Sequence, residues 1–77
     1  MDARKLPQLL DLVAVLNNAH DSDDADVEIG DVGTVVELLP PDGVEVEFLD
    51  RSGHTRCIAT FPVADILVLN RDRTPVG

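Results

Sequence analysis

Aromatic residues and cysteines are scarce in this chain of 77 residues. It contains two Phe, no Tyr, no Trp and one cysteine, Cys57. Grooves for proline-rich peptides and platforms for single-stranded nucleic acids are lined with aromatic side chains, so the composition argues against both activities. A lone cysteine cannot form an internal disulfide, and we therefore expect a cytoplasmic protein.

Positive charge and long apolar runs are scarce as well. Six Lys and Arg residues stand against 15 Asp and Glu residues, which gives a formal net charge of −9. Nucleic acids and anionic membranes attract basic proteins, so the expected partner is a basic protein and neither of those. The apolar stretch at residues 9–16 is interrupted by Asp11 and is too short to span a bilayer.

Short segments rich in β-branched residues and separated by turn residues dominate the rest of the chain. Four of them are predicted as strands: residues 33–39, 44–48, 54–61 and 66–69. Residues 10–16 fit both the spacing of a helix and the alternation of a strand. Val13 and Val15 favour the strand.

The connections between these segments differ in length. Residues 17–31 form a long polar loop, Pro and Gly mark turns at residues 40–43 and 50–53, and residues 62–65 fit one helical turn. The order predicts an all-β fold, a small five-stranded SH3-like barrel with a long acidic loop after strand 1 and one short helical turn before strand 5. We expect the barrel to occupy residues 1–70 and residues 71–77 to form a flexible tail.

Several segments also resemble a family of small, uncharacterised bacterial proteins grouped as a domain of unknown function. They are residues 9–14, 30–36, 44–48 and 62–69. The resemblance implies an SH3-like fold and no established activity. Some members of the family are encoded beside small toxin-like proteins, which implies an antitoxin or immunity role. It implies no functional residues.

The acidic loop does not have the spacing of a metal site. An EF-hand that began at Asp21 would place Ala25 at the fifth position and Val32 where the bidentate Glu belongs. The pair Gly30 and Gly33 lacks the third glycine and the lysine of phosphate-binding loops, so we interpret these glycines as backbone requirements of a turn. No metal and no cofactor is expected.

A catalytic pair is not predicted either. His54 precedes Cys57 by three residues on one predicted strand, and odd separations on a strand point to opposite faces. We expect Cys57 to be buried in the core with Ala59 and Phe61, and His54 to be a solvated turn residue. The chain is therefore not expected to be an enzyme.

A non-catalytic protein-binding module remains, in two versions. In the first, the acidic loop contacts a basic protein, such as a nuclease-like toxin whose cationic groove the carboxylates would cover. Its predicted partner-binding residues are Asp21, Asp23, Asp24, Asp26 and Glu28. The alternative is a structural or assembly subunit that docks through apolar side chains on the outer faces of residues 13–15 and 35–39. The acidic run could equally serve only to keep the protein soluble, and the sequence leaves the oligomeric state open.

Overall fold

Five antiparallel strands form a single sheet in the computed structural model, which describes residues 6–17 and 27–69. The strands are β1 (Leu12–Val15), β2 (Val32–Leu39), β3 (Gly43–Leu49), β4 (Thr55–Pro62) and β5 (Ile66–Val68). Their order across the sheet is β4-β3-β2-β1-β5, and a 3-10 turn, Val63–Asp65, joins β4 to β5. The predicted all-β class, the strand within residues 10–16 and the single helical turn before strand 5 are confirmed.

The sheet bends so that its two outer strands meet at one end. β4 and β5 are the outermost strands, yet only the three residues of the turn Val63–Asp65 separate them along the chain. A flat sheet could not bring its opposite edges together over so short a connection. The bend gives the sheet a barrel-like shape with one inner face.

Two register shifts contribute to the bend. Val36 is an extra residue in β2, because Val35 pairs with Val46 while Glu37 pairs with Glu45. A second shift falls in β4 at Arg56. Bulges of this kind bend the strand that carries them and increase its twist.

The core lies on the inner face and consists of apolar side chains that alternate along each strand. Its buried members are Val13, Val15, Val27, Val35, Val44, Val46, Phe48, Phe61 and Ile66. The two phenylalanine rings meet edge to face with centroids 6.1 Å apart, a favoured aromatic geometry. No polar side chain is buried in the described part of the chain.

The inward orientation of β3 confirms the predicted alternation, whereas Cys57 corrects a prediction. Val44, Val46 and Phe48 are buried, and Glu45 and Glu47 between them are half-buried on the outer face. Cys57 was expected to be fully buried, but it is only half-buried at the margin of the core. Cys57 lies beside the register shift at Arg56 near the start of β4, whereas Phe61 near the other end of the same strand is buried.

Close packing between strands explains Gly33, one of the two glycines assigned to a backbone role, which lies within β2. A Cβ atom on Gly33 would lie 2.6 Å from Cγ1 of Val46 and 2.7 Å from the carbonyl oxygen of Glu47. No side chain fits at that distance, so Gly33 allows β2 to approach β3. The backbone interpretation of this glycine therefore agrees with the structure.

A turn followed by a strand occurs twice, twenty residues apart, and the sequence analysis missed this repeat. In the first copy Asp11 N–H donates to the carbonyl of Gln8 at 3.1 Å, and Gln8 N–H donates to the Asp11 carboxylate at 2.9 Å. Asp31 and Glu28 make the same two bonds, both at 2.9 Å. The aligned segments are residues 8–15 and 28–35.

Each copy bonds the strand of the other copy. Leu10 N–H donates to the carbonyl of Val35 at 2.8 Å, and Gly30 N–H donates to that of Val15 at 2.8 Å. Val13 pairs with Gly33 at the centre of β1 and β2. This reciprocity is the pattern of a local two-fold axis between the two strands.

Candidate functional site

Most of the predicted partner-binding residues lie outside the described part of the chain. These are Asp21, Asp23, Asp24 and Asp26. Glu28 is described, and it is exposed in the turn that precedes β2. Its main-chain N–H donates to the carboxylate of Asp31 at 2.9 Å, so its own side chain is not needed for the turn.

The two ends of the acidic loop are held together by main-chain bonds. Gly30 N–H donates to the carbonyl of Val15 at 2.8 Å, and Val15 N–H donates to that of Asp31 at 2.9 Å. Val27, the first residue described after Asn17, is buried in the core. The structure therefore fixes where the loop leaves the sheet and where it returns.

An ion pair connects the turn at the end of the acidic loop to the edge strand β4. Nη2 of Arg56 in β4 lies 3.3 Å from Oδ2 of Asp31. The guanidinium also stands 5.9 Å from the ring centroid of Phe48, within the range of a cation–π contact. Arg56 thus spans from the edge strand to the turn that ends the acidic loop.

Of the candidate metal-binding and catalytic residues, Glu28, His54 and Cys57 lie within the described part of the chain. His54 is exposed beyond the end of β3, as expected, and Cys57 is half-buried in β4. Among residues 6–17 and 27–69, no group of three or more His, Cys, Asp or Glu side chains could hold a metal ion.

No helix within the described residues has the length and apolar character that crossing a membrane requires.

An apolar strip runs across the outer face of β5, β1 and β2. Ala14 pairs with Val32 on one side and with Leu67 on the other. Leu69 N–H donates to the carbonyl of Leu12 at 2.8 Å, which places these two leucines side by side. We call Leu12, Val32, Leu67 and Leu69 the outer apolar strip. Their exposed fractions are 45%, 51%, 37% and 41%.

Three carboxylates lie beside this strip on the same outer face. Thr34 pairs with Leu12 in β1 and with Glu47 in β3, so Glu47 lies two strands away from Leu12. Glu37 in β2 and Glu45 in β3 face each other directly. Like charges placed opposite each other destabilise a sheet.

A small apolar hollow lies at the β2–β3 turn. Its lining includes Leu6, Pro7, Pro40, Pro41 and Val63, and its volume is about 180 Å³. Sites for small molecules and cofactors usually enclose about 300 Å³ or more. The hollow could receive a single apolar side chain and is too small for a cofactor.

The alternative prediction places docking surfaces on the outer faces of residues 13–15 and 35–39, but Val13, Val15 and Val35 point into the core. The exposed side chains belong to the alternate positions and to β5. Period-two alternation places Leu12 opposite in orientation to Val13. The strand pairing was needed to show that Leu12 and Leu69 are neighbours.

The fold and this surface define a small all-β domain with one exposed apolar sheet face. A family model described as Domain of unknown function (DUF4926) matches residues 9–68, and the chain belongs to this family. The predicted membership of an uncharacterised family is therefore confirmed. No curated protein and no solved structure matches the chain.

Proposed function

We propose that this chain is a non-catalytic protein-binding module, built on an SH3-like barrel, that docks a partner protein on its outer apolar strip. The observation that carries the proposal is the exposure of Leu12, Val32 and Leu67 on three adjacent strands and of Leu69 directly after β5. Contiguous exposed apolar patches mark interaction sites more often than scattered apolar residues do. The role is that of a structural or assembly subunit.

The strip is separate from the residues that hold the fold together. Val13 and Val35 are 0% exposed on the inner face, whereas Leu12 and Val32 project from the same strands toward solvent. Polar substitutions on the outer face should therefore spare the core. Covering the strip with a partner would remove apolar surface from water, which favours association by about 25 cal/mol per Å² of apolar surface before the costs of binding.

A paired substitution tests this surface. The variant Leu12→Thr with Val32→Thr places β-branched residues, which favour strands, at both positions and removes apolar area from the strip. The matched control is Leu6→Thr with Leu38→Thr, which changes two exposed apolar side chains at the hollow instead. Immobilised wild type and both variants would be compared for the proteins that each retains from the native host. One protein retained by wild type and control but lost with L12T/V32T supports the proposal, and equal retention by all three contradicts it.

The acidic loop supports a second version, in which a basic protein such as a nuclease-like toxin is neutralised. Four aspartates fall within six residues, in a chain with a formal net charge of −9. Charge of this kind raises the association rate with a basic partner and weakens with added salt. The variant D21N/D23N/D24N/D26N, with or without Glu28→Gln, should then lose affinity for that partner at low salt. Unchanged affinity would contradict this version.

A further inference from the structure

We propose that the protein docked on the outer apolar strip is basic, with Lys or Arg side chains that lie over Glu37, Glu45 and Glu47. This inference rests on the proposed function and adds the chemistry of the partner. It concerns the described sheet face and does not involve the acidic loop.

Glu37 and Glu45 face each other on the outer side of the sheet. The two residues are direct cross-strand partners, and neither carboxylate takes part in an ion pair among residues 6–17 and 27–69. Such a pair destabilises the free protein. A basic side chain that bridges both carboxylates would reverse the sign of this contribution in the complex.

Glu47 extends the acidic surface along β3. It stands two residues after Glu45, which places its side chain on the same face about 7 Å further along the strand. The hydroxyl of Thr55 donates to its carboxylate, which holds the side chain on this face. Three carboxylates therefore face the same solvent region.

The distance between the acidic and the apolar parts suits one partner surface. Leu12 and Glu47 are both paired with Thr34, one on each side. Neighbouring strands lie about 4.8 Å apart, so the two residues are about 10 Å apart across the sheet. A single helix is about 10 Å wide, and an amphipathic basic helix could cover both parts at once.

A second copy of this chain is not a suitable occupant. Each copy has a formal net charge of −9, so two copies repel each other as their apolar strips approach. Like-charge juxtaposition at an interface opposes binding. Apolar contact beside unpaired carboxylates favours a partner of opposite charge.

The test uses synthetic helical peptides as probes. Three labelled peptides of equal length share one leucine face and differ only in flanking residues, which are Lys, Gln or Glu. Their dissociation constants for the full chain would be measured by fluorescence anisotropy at about 50 mM and about 300 mM salt. We expect the Lys peptide to bind most tightly and to lose affinity as salt increases.

A matched pair of variants separates local from overall charge. E37Q/E45Q and D42N/D65N each remove two negative charges, the first pair beside the strip and the second in the β2–β3 turn and the 3-10 turn. We expect E37Q/E45Q to weaken binding of the Lys peptide by about three- to tenfold and D42N/D65N by less than about twofold.

The outcomes distinguish failure of the basic partner from failure of docking on the outer apolar strip. Equal losses in the two charge variants, equal binding of the Lys and Glu peptides, or no binding of the Lys peptide to wild type would overturn the basic partner. Dimerisation of the free chain that L12T/V32T abolishes would show that a second copy occupies the face and would also overturn it. Unchanged Lys-peptide binding by L12T/V32T would contradict docking on the strip itself.

Discussion

Leu10 and Gly30 occupy the same position in the two copies of the turn, and both have left-handed backbone angles. Their φ values are +73° and +95°. Glycine adopts this region without steric cost, whereas a residue with a Cβ atom is destabilised there by about 1–2 kcal/mol. The side chain of Leu10 is 75% exposed, so little burial compensates for the strain.

Leu10→Gly should therefore stabilise the protein. We expect the free energy of unfolding to rise by about 0.5–1 kcal/mol, since the relief of strain exceeds the added flexibility of the unfolded chain. Leu10→Ala is the control, because it keeps the strain and removes the exposed side chain. Urea denaturation would measure both. Equal stabilities of L10G and L10A would contradict this account.

Gly33→Ala should have a much larger and opposite effect. The added methyl group would meet Val46 and the backbone of Glu47 at 2.6 and 2.7 Å, and over-packing of this kind destabilises by about 1–3 kcal/mol or more. Gly43→Ala is the matched control in β3, where the nearest atom is 3.4 Å away. Thermal melts should show a large loss for G33A and a small change for G43A. Similar melting temperatures would argue against the close approach of β2 and β3.

The ion pair of Arg56 with Asp31 should contribute little and depend on salt. Both side chains are about one-third exposed, at 35% and 33%, and pairs of this kind contribute about 0.2–1 kcal/mol. A double-mutant cycle would combine Arg56→Ala with Asp31→Asn. Asn is chosen because its amide oxygen can still accept the hydrogen bond that the main-chain N–H of Glu28 donates in the turn. We expect the coupling energy from denaturation to disappear near 1 M salt. A coupling that high salt leaves unchanged would rule out an exposed electrostatic contact.

E37Q/E45Q should raise the stability of the free protein. Removing two like charges that face each other should add about 0.2–1 kcal/mol at low salt, and the gain should shrink as salt screens the repulsion. Chemical denaturation at two salt concentrations measures this, with D42N/D65N as the control. A destabilised E37Q/E45Q would show that these carboxylates support the sheet, and weaker peptide binding by this variant would then need a structural explanation.

The local pattern of apolar and polar residues was sufficient to predict most of the strands. In β3 the order Val44-Glu45-Val46-Glu47-Phe48 predicts which side chains face the core, because alternation has a fixed period of two. Alternation also places Cys57 on the inner face, but Cys57 is only half-buried beside the register shift at Arg56, which a period of two does not predict. Whether the acidic loop contacts a partner stays a prediction, since Asp21 to Asp26 lie outside the described residues.

The repeat of residues 8–15 in residues 28–35 was available in the sequence as an apolar residue two before an Asp and a Val four after it. The structural consequence of the repeat was not available there, because similar residues in two segments do not show that each turn donates a hydrogen bond to the strand of the other copy. Those bonds join residues far apart in the chain, such as Leu10 and Val35. They depend on which strands become neighbours.

The sequence by itself determined the all-β class, the succession of strands along the chain, the apolar core and the net negative charge. These properties follow from local composition and from the period of apolar residues. Only the tertiary structure decided which outer residues meet. Without the bulge at Val36, the register that pairs Val35 with Val46 would set Val36, and not Glu37, opposite Glu45. A shift of one residue exchanges the two faces of a strand, so the outer surface depends on long-range pairing that local patterns do not encode.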